Sequence, residues 1–263
     1  AAGVLVVDSP ALGGLAVLGA VSLGVWARRL AALLPAAAVV LLYANVPVLL
    51  AEQLDVPAIL GALVVPGLLA LSAVVHARRD GVWLVLPSTT PWMLLLLGAT
   101  ALAAVLSPLP GGTVDTLVTF ATEGVLLWFL VVQAIRDEEG LRLAATALVA
   151  TAALLALVSV VQTVTASYDT DFLGFAQHDV EDPVAFAEDA DGRPARVAGP
   201  IGEKNRYGQV LLMVVPLAVL GSVRAIRPGL RVVAGLAAVL CLVGVALTAS
   251  RGAAVAAVLL LLT

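Results

Sequence analysis

Two short stretches of this chain place positive charge directly before an apolar segment. The first, RVAGPIGEKNRYG, spans 196–208 and holds three cations, and the second, SRG, spans 250–252. Arginine binds phosphate oxygens in pairs and stays protonated, and the free backbone N–H groups at the start of a helix also favour an anion. We therefore expect Arg196 and Arg251 to bind one diphosphate together.

The neighbours of these two arginines suit the same role. Glycines let a ligand or another backbone approach closely, an asparagine can cap the helix that follows, and further cations add positive charge. The supporting residues expected at this site are Gly199, Lys204, Asn205, Arg206, Ser250 and Gly252.

The composition indicates a membrane protein with an all-α fold. Hydrophobic residues make up 62% of the chain and charged residues 12%, and the mean hydropathy is +1.10, so too little polar surface is present for a water-soluble globule. The acidic residues cluster in one loop and the basic residues flank apolar segments, which argues against nucleic-acid binding. One cysteine, Cys241, excludes an internal disulfide and a cysteine-based metal site.

The apolar runs predict a polytopic bundle of about nine spans in a single transmembrane domain covering 1–263, because about 20 apolar residues cross a bilayer. The polar break TASRG at 248–252 separates the last two spans, and 166–206 forms one long external loop. We expect the protein to continue past Thr263. The predicted spans are 11–27, 30–50, 57–75, 91–107, 113–135, 141–165, 207–223 and 232–249, with a ninth from about 253.

The orientation is predicted from Lys and Arg, which are enriched in cytoplasmic loops. If the loop after the first span is cytoplasmic, nine of the fourteen cations fall on that side. They are Arg28, Arg29, Arg78, Arg79, Arg136, Arg142, Arg224, Arg227 and Arg231. The five others lie on the outer side, in or beside the two cationic stretches, and are Arg193, Arg196, Lys204, Arg206 and Arg251.

Glu123 is the carboxylate predicted to lie near the middle of a span, where an ionised side chain costs about 3 kcal/mol. It either pairs with Arg251 or Arg196, or it is protonated and hydrogen-bonded within the bundle. His178 is expected to be an exposed loop histidine, and the acidic run 169–191 a solvated loop, since its spacing matches no calcium-binding loop. No metal or cofactor is expected.

The order of these motifs resembles the O-antigen ligase and O-antigen polymerase family of membrane glycosyltransferases. Arg196, Gly199 and Asn205 stand at the start of a span, Pro216 lies within it, and SRG follows one hairpin later at 250–252. Upstream, VLSPLPGG, the charged turn RDEEG and a span ending in VVQ are similar to the middle section of the same family. The resemblance covers roughly 90–263. Where the family commonly has F-x-N-P-N, this chain has IGEKN, so a differently shaped turn is expected.

The resemblance implies a fold of the GT-C class and a metal-independent transfer of a glycan from an undecaprenyl-diphosphate carrier to an acceptor glycan or glycolipid. The reaction would take place on the outer face of the cytoplasmic (inner) membrane. Arg196 and Arg251 would bind the carrier diphosphate and stabilise the departing charge. In this family a second external loop supplies another Arg and a catalytic His, which would lie beyond Thr263, so the catalytic residue stays unassigned.

A transporter or flippase for an anionic or lipid-linked substrate is the alternative. Outward-facing arginines could select an anion, and Glu123 could relay protons. Many transporters contain related halves with broken spans in matching positions, and the sequence shows no such repeat. A non-catalytic scaffold would leave the outer cations unexplained.

Overall fold

The structure is a computed structural model in which most of the described residues are helical. It describes 29–54, 57–107, 110–165, 167, 170–178, 197–225 and 227–262. The predicted span 11–27 lies outside them. The helices are α1, described from Arg29 to Tyr43, α2 (Val46–Leu54), α3 (Ala58–Asp80), α4 (Thr90–Leu106), α5 (Pro110–Thr119), α6 (Leu127–Ala134), α7 (Glu138–Val164), α8 (Lys204–Arg224), α9 (Pro228–Leu247) and α10 (Arg251–Leu262).

Within the described part of the chain, five helices are long and apolar enough to cross a membrane: Ile59–Asp80, Gly112–Ala134, Glu138–Val164, Lys204–Arg224 and Pro228–Leu247. Their positions agree with five of the predicted spans, and the expected all-α membrane bundle is supported at this level. The remaining described helices are shorter. The predicted polar break near residue 250 is confirmed, because α9 ends at Leu247 and α10 begins at Arg251.

The predicted span 30–50 is not one continuous helix. A turn at Ala44–Asn45 separates α1 from α2, and Asn45 has a φ of 55° in the left-handed region. Asparagine tolerates this conformation better than most residues because its short polar side chain can bond locally. Here the side chain instead donates from Nδ2 to the carbonyl oxygen of Pro200 at 2.9 Å.

The predicted span 113–135 is helical, but it is not a regular α-helix. Between α5 and α6 the residues Phe120–Leu126 form a π-helical turn that contains Glu123. A π-turn accommodates an extra residue in the helix and occurs frequently at functional sites. The whole run Gly112–Ala134 remains long enough to cross a bilayer.

The described chain divides into two compact units. Unit 1 contains residues up to Pro35 together with Pro66–Leu143, and unit 2 contains Ala36–Val65 together with Ala144–Thr263. In unit 1 the buried hydroxyl of Ser72 on α3 lies within hydrogen-bond distance of the carbonyl oxygens of Ala31 (2.8 Å) and Ala134 (3.0 Å). Ser72 therefore ties α3 to the first described residues of α1 and to the end of α6.

Unit 2 has an apolar core built from α7, α8, α9 and α10. Its fully buried members include Tyr207, Leu211 and Val214 on α8 and Cys241 on α9. Small residues let the helices approach closely, as is typical of membrane helix interfaces. At Gly244 of α9 an added Cβ would lie 2.7 Å from a methyl carbon of Leu211 and 3.2 Å from the Cβ of Ala156.

Substituting Gly244→Val should destabilise unit 2 by about 1–3 kcal/mol, because the side chain has no room in a packed core. Thermal unfolding in detergent measures the effect. Gly98→Val in α4 is the matched control, since an added Cβ there meets nothing within 4 Å. Equal losses of thermal stability in the two variants would contradict the packing at Gly244.

Candidate anion-binding site

A β-hairpin leads the chain into α8. Its strands, β1 (Gln177–His178) and β2 (Val197–Gly199), pair antiparallel, with Gln177 opposite Gly199. Gly199 has a φ of 60°, and a Cβ at this position would lie 2.5 Å from a ring carbon of Tyr207. Both the conformation and the contact require glycine here. The glycine expected in the cationic stretch thus lets β2 pack directly on an aromatic ring.

Tyr207 anchors the start of α8 in the core of unit 2. Its side chain is completely buried, and its hydroxyl lies 2.9 Å from the Ser159 hydroxyl on α7, so the buried polar groups satisfy each other. Ser159 also donates back to the carbonyl oxygen of Leu155 at 3.1 Å, which leaves Tyr207 as the donor to Ser159. The first turn of α8 is therefore fixed relative to β2 and α7.

The cap of α8 differs from the prediction. Glu203, not Asn205, is the N-cap: its carboxylate accepts hydrogen bonds from the backbone N–H groups of Asn205 (2.9 Å) and Arg206 (2.8 Å). A carboxylate is favourable at this end of a helix because it meets the positive end of the helix dipole. The same carboxylate lies 3.7 Å from Nε of Arg206, and the side chain of Arg206 is exposed. The Asn205 side chain is exposed and does not cap the helix.

The starts of α8 and α10 lie side by side. An added Cβ at Gly208, in the second turn of α8, would lie 3.0 Å from both the Cβ of Ala253 and the hydroxyl of Thr248, and 3.7 Å from the Cβ of Ser250. Because Ala253 is in the first turn of α10, the two helices begin at the same end of unit 2. The structure therefore brings Lys204 and Arg206 to the same end as Arg251.

Ser250 caps α10. Its hydroxyl accepts from the N–H of Ala253 at 3.4 Å, and its own N–H donates to the Thr248 hydroxyl at 3.3 Å. The N–H groups of Arg251 and Gly252 have no hydrogen-bond partner among the described residues. Both residues are exposed, and an added Cβ at Gly252 meets nothing within 4 Å. The start of α10 thus combines an exposed guanidinium with two available backbone donors.

Asn45 and Gln162 lie within predicted spans, but their side chains form hydrogen bonds with loops at the end of unit 2 where α8 and α10 begin. Asn45 donates to the Pro200 carbonyl in the turn before α8, and Gln162 at the end of α7 donates to the Ala176 carbonyl at 2.8 Å. Polar side chains within membrane spans commonly form interhelical hydrogen bonds, but both of these amides bond to loop carbonyl oxygens instead. Their only signal in the sequence was a polar amide inside an apolar run.

Three other residues considered in the sequence are Arg196, Glu123 and His178. Arg196 lies outside the described residues, as do most acidic residues of 166–206, so the convergence of Arg196 with Arg251 stays a prediction. Glu123 belongs to unit 1, where its side chain is exposed and no described residue of that unit forms an ion pair or hydrogen bond with it. The backbone of His178 lies in β1.

Comparisons with known proteins found no matching family model, no matching curated protein and no matching solved structure.

Substituting Gly199→Ala should destabilise unit 2 by more than about 1 kcal/mol, since a left-handed φ costs that much for a residue with a Cβ, and contact with the Tyr207 ring adds to it. Thermal unfolding in detergent measures the loss. Gly252→Ala is the control, because its methyl group meets open space in a helix. A Gly199→Ala variant as stable as this control would contradict the contact between β2 and Tyr207.

Proposed function

We propose that this protein is a membrane glycosyltransferase that transfers a glycan from an undecaprenyl-diphosphate carrier to an acceptor glycan or glycolipid, as in O-antigen ligases and polymerases. It would act on the outer face of the cytoplasmic membrane with a GT-C type of fold. The motif order within 196–252 motivates the proposal. The observation that carries it is the adjacency of the α8 and α10 starts at Gly208.

The two helix starts offer different donors to a diphosphate. At α8 the Glu203 carboxylate already occupies the N–H groups of Asn205 and Arg206, so this start contributes cationic side chains. At α10 the N–H groups of Arg251 and Gly252 are available, and the guanidinium of Arg251 is exposed beside them. We therefore assign the main phosphate contact to the start of α10.

Arg251 is suited to the chemical step as well as to binding. When the glycosidic bond to the carrier breaks, negative charge builds on the leaving diphosphate, and a donor already in position stabilises that charge without reorganisation. Arginine is preferred because its planar fork holds two phosphate oxygens. Arg196 is proposed as the second ligand, and the group that activates the acceptor hydroxyl is not assigned to any residue of this chain.

Substituting Arg251→Ala should lower glycan transfer about a hundredfold or more, the loss expected for removing one donor to a leaving group, about 3 kcal/mol. The assay follows labelled glycan from the undecaprenyl-diphosphate precursor into acceptor in isolated membranes. Arg227→Ala, an exposed arginine at the start of α9, is the control and should retain transfer.

Binding of undecaprenyl diphosphate alone separates this role from a failure to fold. The lipid should raise the thermal stability of the wild-type protein and of Arg227→Ala but not of Arg251→Ala. Full transfer and unchanged binding in both Arg251→Ala and Arg196→Ala would refute the diphosphate assignment.

The proposed orientation has its own test. A cysteine introduced at the exposed Asn205 should react with a membrane-impermeant maleimide added outside intact cells, whereas a cysteine at Arg227 should react only after permeabilisation. The native Cys241 is fully buried, so the background labelling should be low. The reverse pattern would place the cationic end on the cytoplasmic side and exclude the proposed reaction.

Glu123→Gln distinguishes the two roles considered for this carboxyl. If it is protonated, the amide should preserve transfer, because it keeps the hydrogen-bonding shape without charge. If a charged carboxylate orients an arginine of the site, transfer should fall strongly. The same membrane transfer assay measures both outcomes, with protein amount normalised by immunoblot.

A further inference from the structure

The connection between α3 and α4 in unit 1 is unusually apolar. Residues 81–89 form neither helix nor strand, yet the side chains of Val82, Trp83, Leu84 and Leu86 are 47%, 67%, 54% and 62% exposed. Trp92, at the start of α4, is 71% exposed. A loop in water is normally polar, and several neighbouring exposed apolar side chains indicate a surface that contacts another phase or molecule.

Polar side chains at the end of α6 and just after it form hydrogen bonds with the backbone of this connection. The amide of Gln133 accepts from the N–H of Val85 at 3.0 Å and donates to its carbonyl oxygen at 2.7 Å. Arg136 donates to the carbonyl oxygen of Val82 at 2.5 Å and to the Gln133 side-chain oxygen at 3.0 Å. Gln133 is 3% exposed. The connection is therefore tethered at two points.

The rest of its backbone is not satisfied in this way. The N–H and C=O groups of Trp83, Leu84 and Leu86 have no hydrogen-bond partner among the described residues. Backbone without partners is not found facing the hydrocarbon of a bilayer, so these groups must meet water or lipid headgroups. Full immersion in water would in turn leave the apolar side chains uncovered.

We infer that the segment 82–87 lies in the lipid–water interface of the membrane, with its unpaired backbone groups among the headgroups and its apolar side chains in the outer part of the acyl chains. Both requirements are met at this depth. Tryptophan favours the interface because its ring is apolar and its N–H is polar. The apolar surface is also continuous along the chain with α3 and α4, which carry further exposed leucines such as Leu71 and Leu94.

The charged end of α3 is compatible with this depth. Arg79 pairs with Asp80 at 2.7 Å and lies 3.6 Å from Asp137, and all three side chains are partly exposed. Together with the exposed Arg78, these side chains carry two charges of each sign, so they favour no particular headgroup charge. We therefore assign the contact to the interface of a phospholipid bilayer in general.

The depth of Trp83 tests the inference. In a full-length variant with Trp26, Trp92 and Trp128 changed to Phe, Trp83 is the sole reporter. The protein is reconstituted into phosphatidylcholine vesicles that contain lipid brominated either near the headgroup or near the chain end. Trp83 fluorescence should be quenched more strongly by bromine near the headgroup than by bromine near the chain end, and only weakly by aqueous acrylamide.

Trp128 as the sole reporter is the matched control. It lies on α6, about 9 Å along the helix from Ala134 at 1.5 Å per residue, and should respond more to the deeper bromine than Trp83 does. Gln133→Leu, which removes both bonds to Val85, should raise acrylamide quenching of Trp83 and leave that of Trp128 unchanged. An unaltered Trp83 signal in this variant would refute the tether.

Three results would overturn the interfacial location. Strong acrylamide quenching without bromolipid quenching would make the segment an aqueous loop. Strongest quenching by bromine at the chain end would place it in hydrocarbon. Protection from both quenchers would show that protein covers it, for example a second copy or another chain paired along its open backbone.

Discussion

The close contact between α8 and α10 is the constraint on which the candidate site depends. Gly208 presents no side chain to α10, and an added Cβ there would lie only 3.0 Å from the hydroxyl of Thr248 and from the methyl of Ala253. A larger residue at this position would therefore crowd the contact between the two helices. Because helix starts carry unpaired N–H groups and positive partial charge, their separation decides whether one anion can meet both.

Tyr207 connects this arrangement to β2 and α7 of unit 2. Its ring lies against Gly199 of β2, and its hydroxyl is bonded to Ser159 of α7. Asn45 and Gln162 then fix the adjoining loops by donating hydrogen bonds to the backbone carbonyl oxygens of Pro200 and Ala176. Non-helical backbone near a bilayer needs such partners, since lipid provides none. The amides within apolar runs therefore serve the loops more than the helix packing.

Hydropathy predicts where most helices lie, because an apolar run of sufficient length has few alternatives to a membrane helix. Thus the helices α7 and α9 lie where expected, and the break at 248–252 is where α9 ends. The break at Asn45 could not be predicted, since it depends on a hydrogen bond to Pro200, 155 residues away. The π-helical turn is likewise invisible to a pattern search that assumes 3.6 residues per turn.

At the site, Arg251 stands at a helix start as expected, whereas β2 follows position 196 and α8 begins only at Lys204. The sequence also did not show how each helix start is capped. Asn205 matched the usual capping preference, whereas the structure uses Glu203, a residue type outside the favoured N-cap set. The positive φ of Gly199 and Gly202 shapes the turn that brings the glutamate into place. The residue-type preference for N-caps therefore predicted the wrong residue, because the geometry of the turn decides which side chain reaches the start of the helix.

The π-helical turn at Phe120–Leu126 also sets the rotational phase of everything that follows it in the same helix. One extra residue turns the later side chains by about 100° around the helix axis. Gln133, which follows the π-helical turn, bonds to Val85 with that offset included. Removing a single residue from the turn would leave composition and hydropathy almost unchanged yet aim the amide at a different neighbour. A one-residue gap at this place in a related sequence would thus mark a protein whose α3–α4 connection is held by other means.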